Sequence, residues 1–172
     1  MSDGSPELHE VRILRFPLDV YQRSMEAFEG LQREFALIAM RSAEADALPD
    51  RLLRLVSALN DEYGGLTSES DRKRDEAIER GETVVAELVH HVPASVADAC
   101  VALNALLDEA DEFCRQGELL LTLATTTEGL AFRRWYLGEF TAQVRGEDPL
   151  PWSEVDQEAL LENPTLRGAE GA

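Results

Sequence analysis

Two short runs rich in β-branched and aromatic residues, each closed by a proline, constrain this chain most. His9 to Phe16 (HEVRILRF) ends at Pro17, and an alternating run from Glu82 to Val92 ends at Pro93. Proline lacks a donor and presets φ, so each can open a helix where a strand stops. An isolated strand cannot satisfy its backbone groups, so the two runs are expected to pair with each other and to be covered by helices. In the second run Val84, Ala86, Leu88 and Val92 alternate with Val85, Glu87, Val89 and His91, which puts His90 on the more apolar face.

Helical periodicity follows both prolines. Val20, Ser24, Ala27, Phe28, Leu31, Phe35 and Ile38 recur at spacings of three and four, predicting a helix to about Ala43. Val96, Ala99, Cys100, Leu103, Leu106, Leu107, Ala110 and Cys114 do the same up to Gly117. The strand–proline–helix arrangement at 10–43 thus recurs at 83–116, with Val20 answering Val96 and Leu31 answering Leu107. Identity between the copies is thin, and both chance and duplication account for it.

Between these units, Leu48-Pro49-Asp50 starts a helix with Leu52, Leu55, Val56, Leu59 and Tyr63 on one face, ended by Gly64-Gly65. Thr67 or Ser68 can cap a charged helix to Arg80, stopped at Gly81. Thr125 to Thr127 can cap a last long helix to about Val144. The expected fold is mainly α with minor β: a bundle of about five helices with a two-stranded β pair. Residues 1–9 are expected to be disordered, 10–145 to form one helical domain, and 146–172 to be an acidic, proline-containing tail with Trp152 as its anchor candidate.

Charge then narrows the partners. Among 172 residues, 34 acidic and 16 basic side chains leave a formal net charge of −18. Such a polyanion is repelled by phosphate backbones and anionic lipid surfaces, so neither nucleic acid nor membrane is an expected partner. A basic protein partner is compatible, and so is plain solubility. The only lysine, Lys73, sits in the charged run Asp71-Arg72-Lys73-Arg74-Asp75-Glu76, a poor setting for a Schiff base or a phosphate ligand. Cys100 and Cys114 lie about 21 Å apart along one predicted helix and cannot pair within it. With no leader-like segment and no apolar stretch near twenty residues, a cytoplasmic chain with reduced thiols is expected.

Candidate chemistry is sparse. Asp108, Asp111 and Glu112 share a helix face in LLDEADEFCR, but a helix-bundle metal centre also needs Glu-x-x-His, which does not occur. The alternative is a solvated face partly neutralised by Arg115. His90 and His91 are strand neighbours pointing to opposite faces, so they do not chelate one ion in the usual way. Neither a G-x-S-x-G elbow nor a phosphate-binding glycine loop is present. No catalytic residue, metal or cofactor is therefore assigned.

The stretch Leu119 to Phe140 is the most distinctive. Arg133, Arg134, Trp135 and Tyr136 concentrate side-chain types favoured as binding anchors. Together with Asp108, Asp111, Glu112 and Trp152 they form a candidate interaction surface. The alternative puts Leu130, Phe132 or Trp135, and Tyr136 in the core, with Arg133 and Arg134 paired to Glu139 or to the acids at 108–112.

Several phrases carry a resemblance: REFALIA at 33–39, LPDRLLRLV at 48–56, LLDEADEFCRQGELLLTLAT at 106–125, FRRWYLGEF at 132–140, and Pro-x-Pro-Trp at 149–152. Over residues 10–152 the chain resembles a group of small actinobacterial proteins that occur beside partner-switching regulators. Those regulators are ATP-binding serine-kinase anti-sigma factors, anti-anti-sigma proteins and their phosphatases. The regulators' own motifs are missing here: no D-x-G-x-G turn accompanies an ATP-binding asparagine, and no basic DNA-reading helix occurs. The resemblance implies a non-enzymatic accessory or regulatory protein acting by protein–protein contact. The alternative is a small-molecule sensor or minor enzyme with a pocket lined by Tyr21, Cys100, His90 and Trp135.

Overall fold

The computed structural model of the chain describes residues 6–42, 47–117 and 125–163. Strand β1 (Leu8–Pro17) pairs antiparallel with β2 (Val84–Pro93), from Leu8 opposite Pro93 to Pro17 opposite Val84. The described residues also form six α-helices: α1 (Leu18–Arg41), α2 (Leu48–Tyr63), α3 (Ser68–Glu79), α4 (Val96–Gln116), α5 (Thr127–Val144) and α6 (Gln157–Glu162). The fold is mainly α with minor β. No described helix is long and apolar enough to cross a membrane.

Local signals place most boundaries. Pro17 is the N-cap of α1, and α4 begins three residues after Pro93. A 3-10 turn at Gly64–Leu66 stops α2, and Gly81, at φ 73°, follows the end of α3. Thr126 caps α5, its hydroxyl accepting from Gly129 N at 3.1 Å. Helix α1 ends at Arg41, so the expected last residue, Ala43, lies outside the described residues. Leu8 and His9, expected in a disordered end, belong to β1 because Pro93 and Val92 of β2 stand opposite them.

The sheet breaks its own alternation. Val11 and Ile13 point inward, and so do His90 and Leu88 across from them, but the next inward pair is Phe16 with Val85. Three residues separate these inward positions instead of two. The cause is Arg15, whose φ of 57° is left-handed and turns the following side chain to the other face. Val85 is therefore buried where simple alternation put Val84 and Ala86. The internal repeat is affected too. At an offset of 76, Val20 and Val96, and Leu31 and Leu107, are all buried. In the strands, however, the counterparts of Val11 and Ile13 are Glu87 and Val89, which are only half-buried. The repeat holds in the helices and not in the sheet faces.

The apolar interior has two parts. A larger one joins both strands, α3, α5 and the first halves of α1 and α4, around Phe16, Leu18, Phe132, Trp135 and Phe140. A smaller one, built on Leu31, Phe35, Leu52, Leu107, Ala110 and Cys114, fills the space between the far half of α1, α2 and the far half of α4. Twenty-four residues make α1 about 36 Å long, enough to serve both.

Both sheet edges are capped by side chains. Gln143 accepts from Arg12 N and donates to Arg12 O, both at 2.8 Å, imitating a third strand. On the other edge Lys73 Nζ donates to Glu87 O at 2.7 Å. An open edge is a template for foreign strands, so these contacts close part of a liability.

Residues 147–163, expected to be tail, fold back as a strap. A 3-10 turn at Trp152–Glu154 lies against β1, and α6 lies against α5. Trp152 packs its ring 5.3 Å from Trp135 and 6.0 Å from Phe132. An exposed indole would keep its whole apolar area in water, and this contact removes much of it.

Candidate functional site

Helix α5 is buried on nearly every side, since Gly129, Ala131, Phe132, Arg134, Trp135 and all of Leu137–Ala142 are shielded from solvent. Its polar side chains must therefore find partners inside the protein. They do so in two assemblies.

The first joins α5 to α4. Arg133 donates through Nη1 to Asp111 Oδ2 (3.0 Å), through Nε to Asn104 Oδ1 (3.2 Å), and through Nη2 to Asp108. The other oxygen of Asp111 accepts from Thr125 N (3.1 Å) and Thr125 Oγ1 (2.6 Å). Asp111 is thus fully engaged. Glu112 instead points outward and meets Arg115 at 3.4 Å. The three acids do not form one centre, and a guanidinium occupies the space between Asp108 and Asp111. Among the described residues no group of three or more His, Cys, Asp or Glu is placed to hold a metal ion.

The second assembly joins α5 to the strap. Arg134 Nη1 donates to Leu160 O (2.6 Å) and Leu161 O (3.1 Å), with Asn163 O at 3.5 Å. These are carbonyls at the end of α6, which have no partner within the helix. A cation there also complements the helix dipole. Trp135 Nε1 donates to Leu150 O at 2.8 Å. Glu139, with no exposed surface, accepts from Leu150 N (3.0 Å) and from Gln143 Nε2 (2.9 Å). Three side chains within about a turn and a half of α5, Arg134, Trp135 and Glu139, all engage the main chain of residues 150–163.

This arrangement places most of the expected interaction residues inside the chain. Arg134 and Trp135 are buried, Arg133 and Tyr136 nearly so, and Trp152 is packed on Trp135 within the same chain. Arg133, Asp108 and Asp111 form a bridge between α5 and α4, with the Asp108 side chain a third exposed and Glu112 facing solvent. The physical reason is that α5 lies between the sheet, α4, α1 and the strap, so it has no free face. Gln143 and Asn104 were not expected from the sequence in these roles, Glu139 was expected only as a partner of Arg133 or Arg134, and Thr125 only as a helix cap. A lone Glu inside the apolar run Leu137–Ala142 was the available signal.

A third polar group lies on the opposite side of α5. His90, 2% exposed, stands 3.0 Å from Ser70 Oγ through Nδ1 and tilts against Phe140 at 5.2 Å. Ser70 spends its proton on Thr67 O at 2.9 Å, so Nδ1 must donate and Nε2 carries a bare lone pair. That nitrogen is buried and has no partner. Burial pushes the imidazole down to about 4. Nearby, Arg74 lies over the Tyr21 ring at 4.7 Å and pairs with Asp71 and Asp75. Burial raises the phenols of Tyr21 and Tyr136, and pushes the Cys100 thiol up to about 12. Of the four residues expected to line a pocket, Tyr21, Cys100 and His90 share this region. Trp135 belongs to the same core, but its indole N–H is committed to Leu150.

Set beside known proteins, the chain matches no family model, no curated protein and no solved structure.

Proposed function

We propose that this is a non-enzymatic accessory or regulatory protein that works by binding another protein, in a signalling module of the partner-switching type. One observation carries the binding half of this reading. A face of α5 places Arg134, Trp135 and Glu139 so that each addresses peptide main chain, and Trp135 with Phe132 receives a single indole. Main-chain hydrogen bonds for affinity plus one side-chain pocket for selectivity is the arrangement of peptide-docking surfaces. The resemblance over residues 10–152 supplies the signalling context. The test is an affinity capture from the source organism, with recovered proteins identified by mass spectrometry. Recovery of an anti-sigma kinase, an anti-anti-sigma protein or their phosphatase supports the reading. Capture that returns none of these classes removes its signalling half.

A second reading has its own observation. His90 Nε2 is a buried acceptor without a partner, on a ring packed against Phe140, which in turn packs on Tyr136. A small ligand with a donor group satisfies it. A thermal-shift screen with nucleotides and metabolites tests this, because a ligand bound only to the folded state raises the melting temperature. A flat response across the library leaves His90 as a core residue.

A further inference from the structure

We infer that the strap, residues 147–163, is a displaceable occupant of the α5 face, and that the partner docks there with a segment of the same chemistry. That segment carries a proline-flanked tryptophan followed by a short helix whose last carbonyls are open. The inference rests on the interaction reading above and names the partner's chemistry and the site's regulation.

Four features of the strap argue for exchange. The bonds that Arg134, Trp135 and Glu139 make to it fall on its main chain, at Leu150, Leu160 and Leu161, so another sequence can make the same bonds. No residue of the 3-10 turn or of α6 is fully buried, in contrast to the eleven buried residues of α5. Six acidic residues and no basic one lie between Glu147 and Asn163, so the strap is repelled by the rest of an acidic chain. The connection from α5 is exposed from Arg145 to Asp148 and includes Gly146 at φ 92°, a turn that can re-form with the strap released.

What the strap leaves behind is specific. Arg134 retains Asp108 at 3.7 Å but loses its carbonyl partners, and Glu139 retains Gln143 but loses Leu150 N. Releasing the strap alone gives up these bonds and returns the apolar rings of Phe132, Trp135 and Trp152 to water, which is costly. Replacing it with a segment that offers the same carbonyls and N–H is not. The strap therefore protects the face until a matching segment arrives, and its tethering sets a high local concentration that the partner must exceed.

The experiment uses the full chain and a labelled peptide of residues 147–163, followed by fluorescence anisotropy. Trp152→Ala in the chain weakens the tethered competitor, so it is expected to bind the peptide at least ~10-fold more tightly than the wild type. The same peptide with its tryptophan changed to alanine is expected to bind neither chain. A folded Trp152→Ala chain that binds the peptide no better than wild type overturns the inference. Where that variant does not fold, hydrogen exchange on the wild type decides. Amides of Leu150, Val155 and Leu160 are expected to exchange at least ~100-fold faster than those of α5, because local opening needs less than global unfolding. Equal protection means that the strap leaves only when the whole domain unfolds, and the inference falls. Strap exchange without a captured regulator leaves the docking face standing and removes the signalling role. A captured regulator without strap exchange puts its contact elsewhere on the protein.

Discussion

The guanidinium of Arg133 and the carboxylate of Asp111 lie 3.0 Å apart, with side chains only 12% and 5% exposed, and they join α5 to α4. Thr125 engages the other oxygen of the same carboxylate, so the bridge also pins the approach to the α5 N-cap. Truncating one partner of a buried pair leaves an uncompensated charge, which costs far more than the pair contributes. Arg133→Met is therefore expected to destabilise the fold by about 3–5 kcal/mol in urea unfolding. The double change Arg133→Met with Asp111→Leu should recover part of that loss. A single-variant loss below about 1 kcal/mol would show that solvent reaches the pair.

His90 makes stability depend on pH. Its folded value, about 4, is below the ordinary imidazole value of 6.5, first because of burial. The unfolded chain takes up this proton below about pH 6.5 while the folded chain resists until about pH 4. The contribution is therefore complete above pH 6.5, declines as pH falls, and is gone below about 4. Its size is about 3 kcal/mol. The stability of wild type minus that of His90→Phe, from urea unfolding followed from about pH 7.5 to 3.5, should be level above about pH 6.5, fall as the pH drops from 6.5 to 4, and level off again below 4. Identical pH profiles would refute the depressed value.

Gln143 holds the edge of β1 through both backbone groups of Arg12. Gln143→Ala removes two hydrogen bonds and one donor to Glu139. A loss of about 1–2 kcal/mol is expected, together with faster hydrogen exchange at Arg12 N. Unchanged protection at Arg12 would mean that another group or water closes the edge equally well.

Both thiols are buried and raised, Cys100 to about 12, so thiolate is scarce in the folded chain. A disulfide reagent at pH 8 should label neither until denaturant is added. Rapid labelling of Cys100 in native buffer would reveal an opening beside Tyr21 and His90 and would favour the ligand reading.

Much of the fold was legible because its boundaries are local events. Pro17, Pro93, Gly64-Gly65, Gly81 and Gly117 act on the few residues around them, and apolar spacing marks the covered side of α1, α2 and α4. The pairing of β1 with β2 was legible as well, since two strands without neighbours have one way to satisfy their backbones. The phase of the sheet was not. It turns on the left-handed φ of Arg15, and arginine carries no signal for that conformation.

The site shows the same division more sharply. That Arg133–Tyr136 concentrate contact-forming side chains is a property of the sequence, and so is the acidic excess of residues 147–163. Whether those contacts face a partner or the protein's own interior depends on what surrounds α5. A helix covered on one side shows a stripe, but a helix covered on all sides shows no period from which a direction can be read. Only the tertiary structure could put Trp152 on Trp135, Leu150 between Trp135 and Glu139, and Arg134 at the end of α6. Each of those contacts spans ten or more residues of chain, and their energies depend on burial that no local window contains.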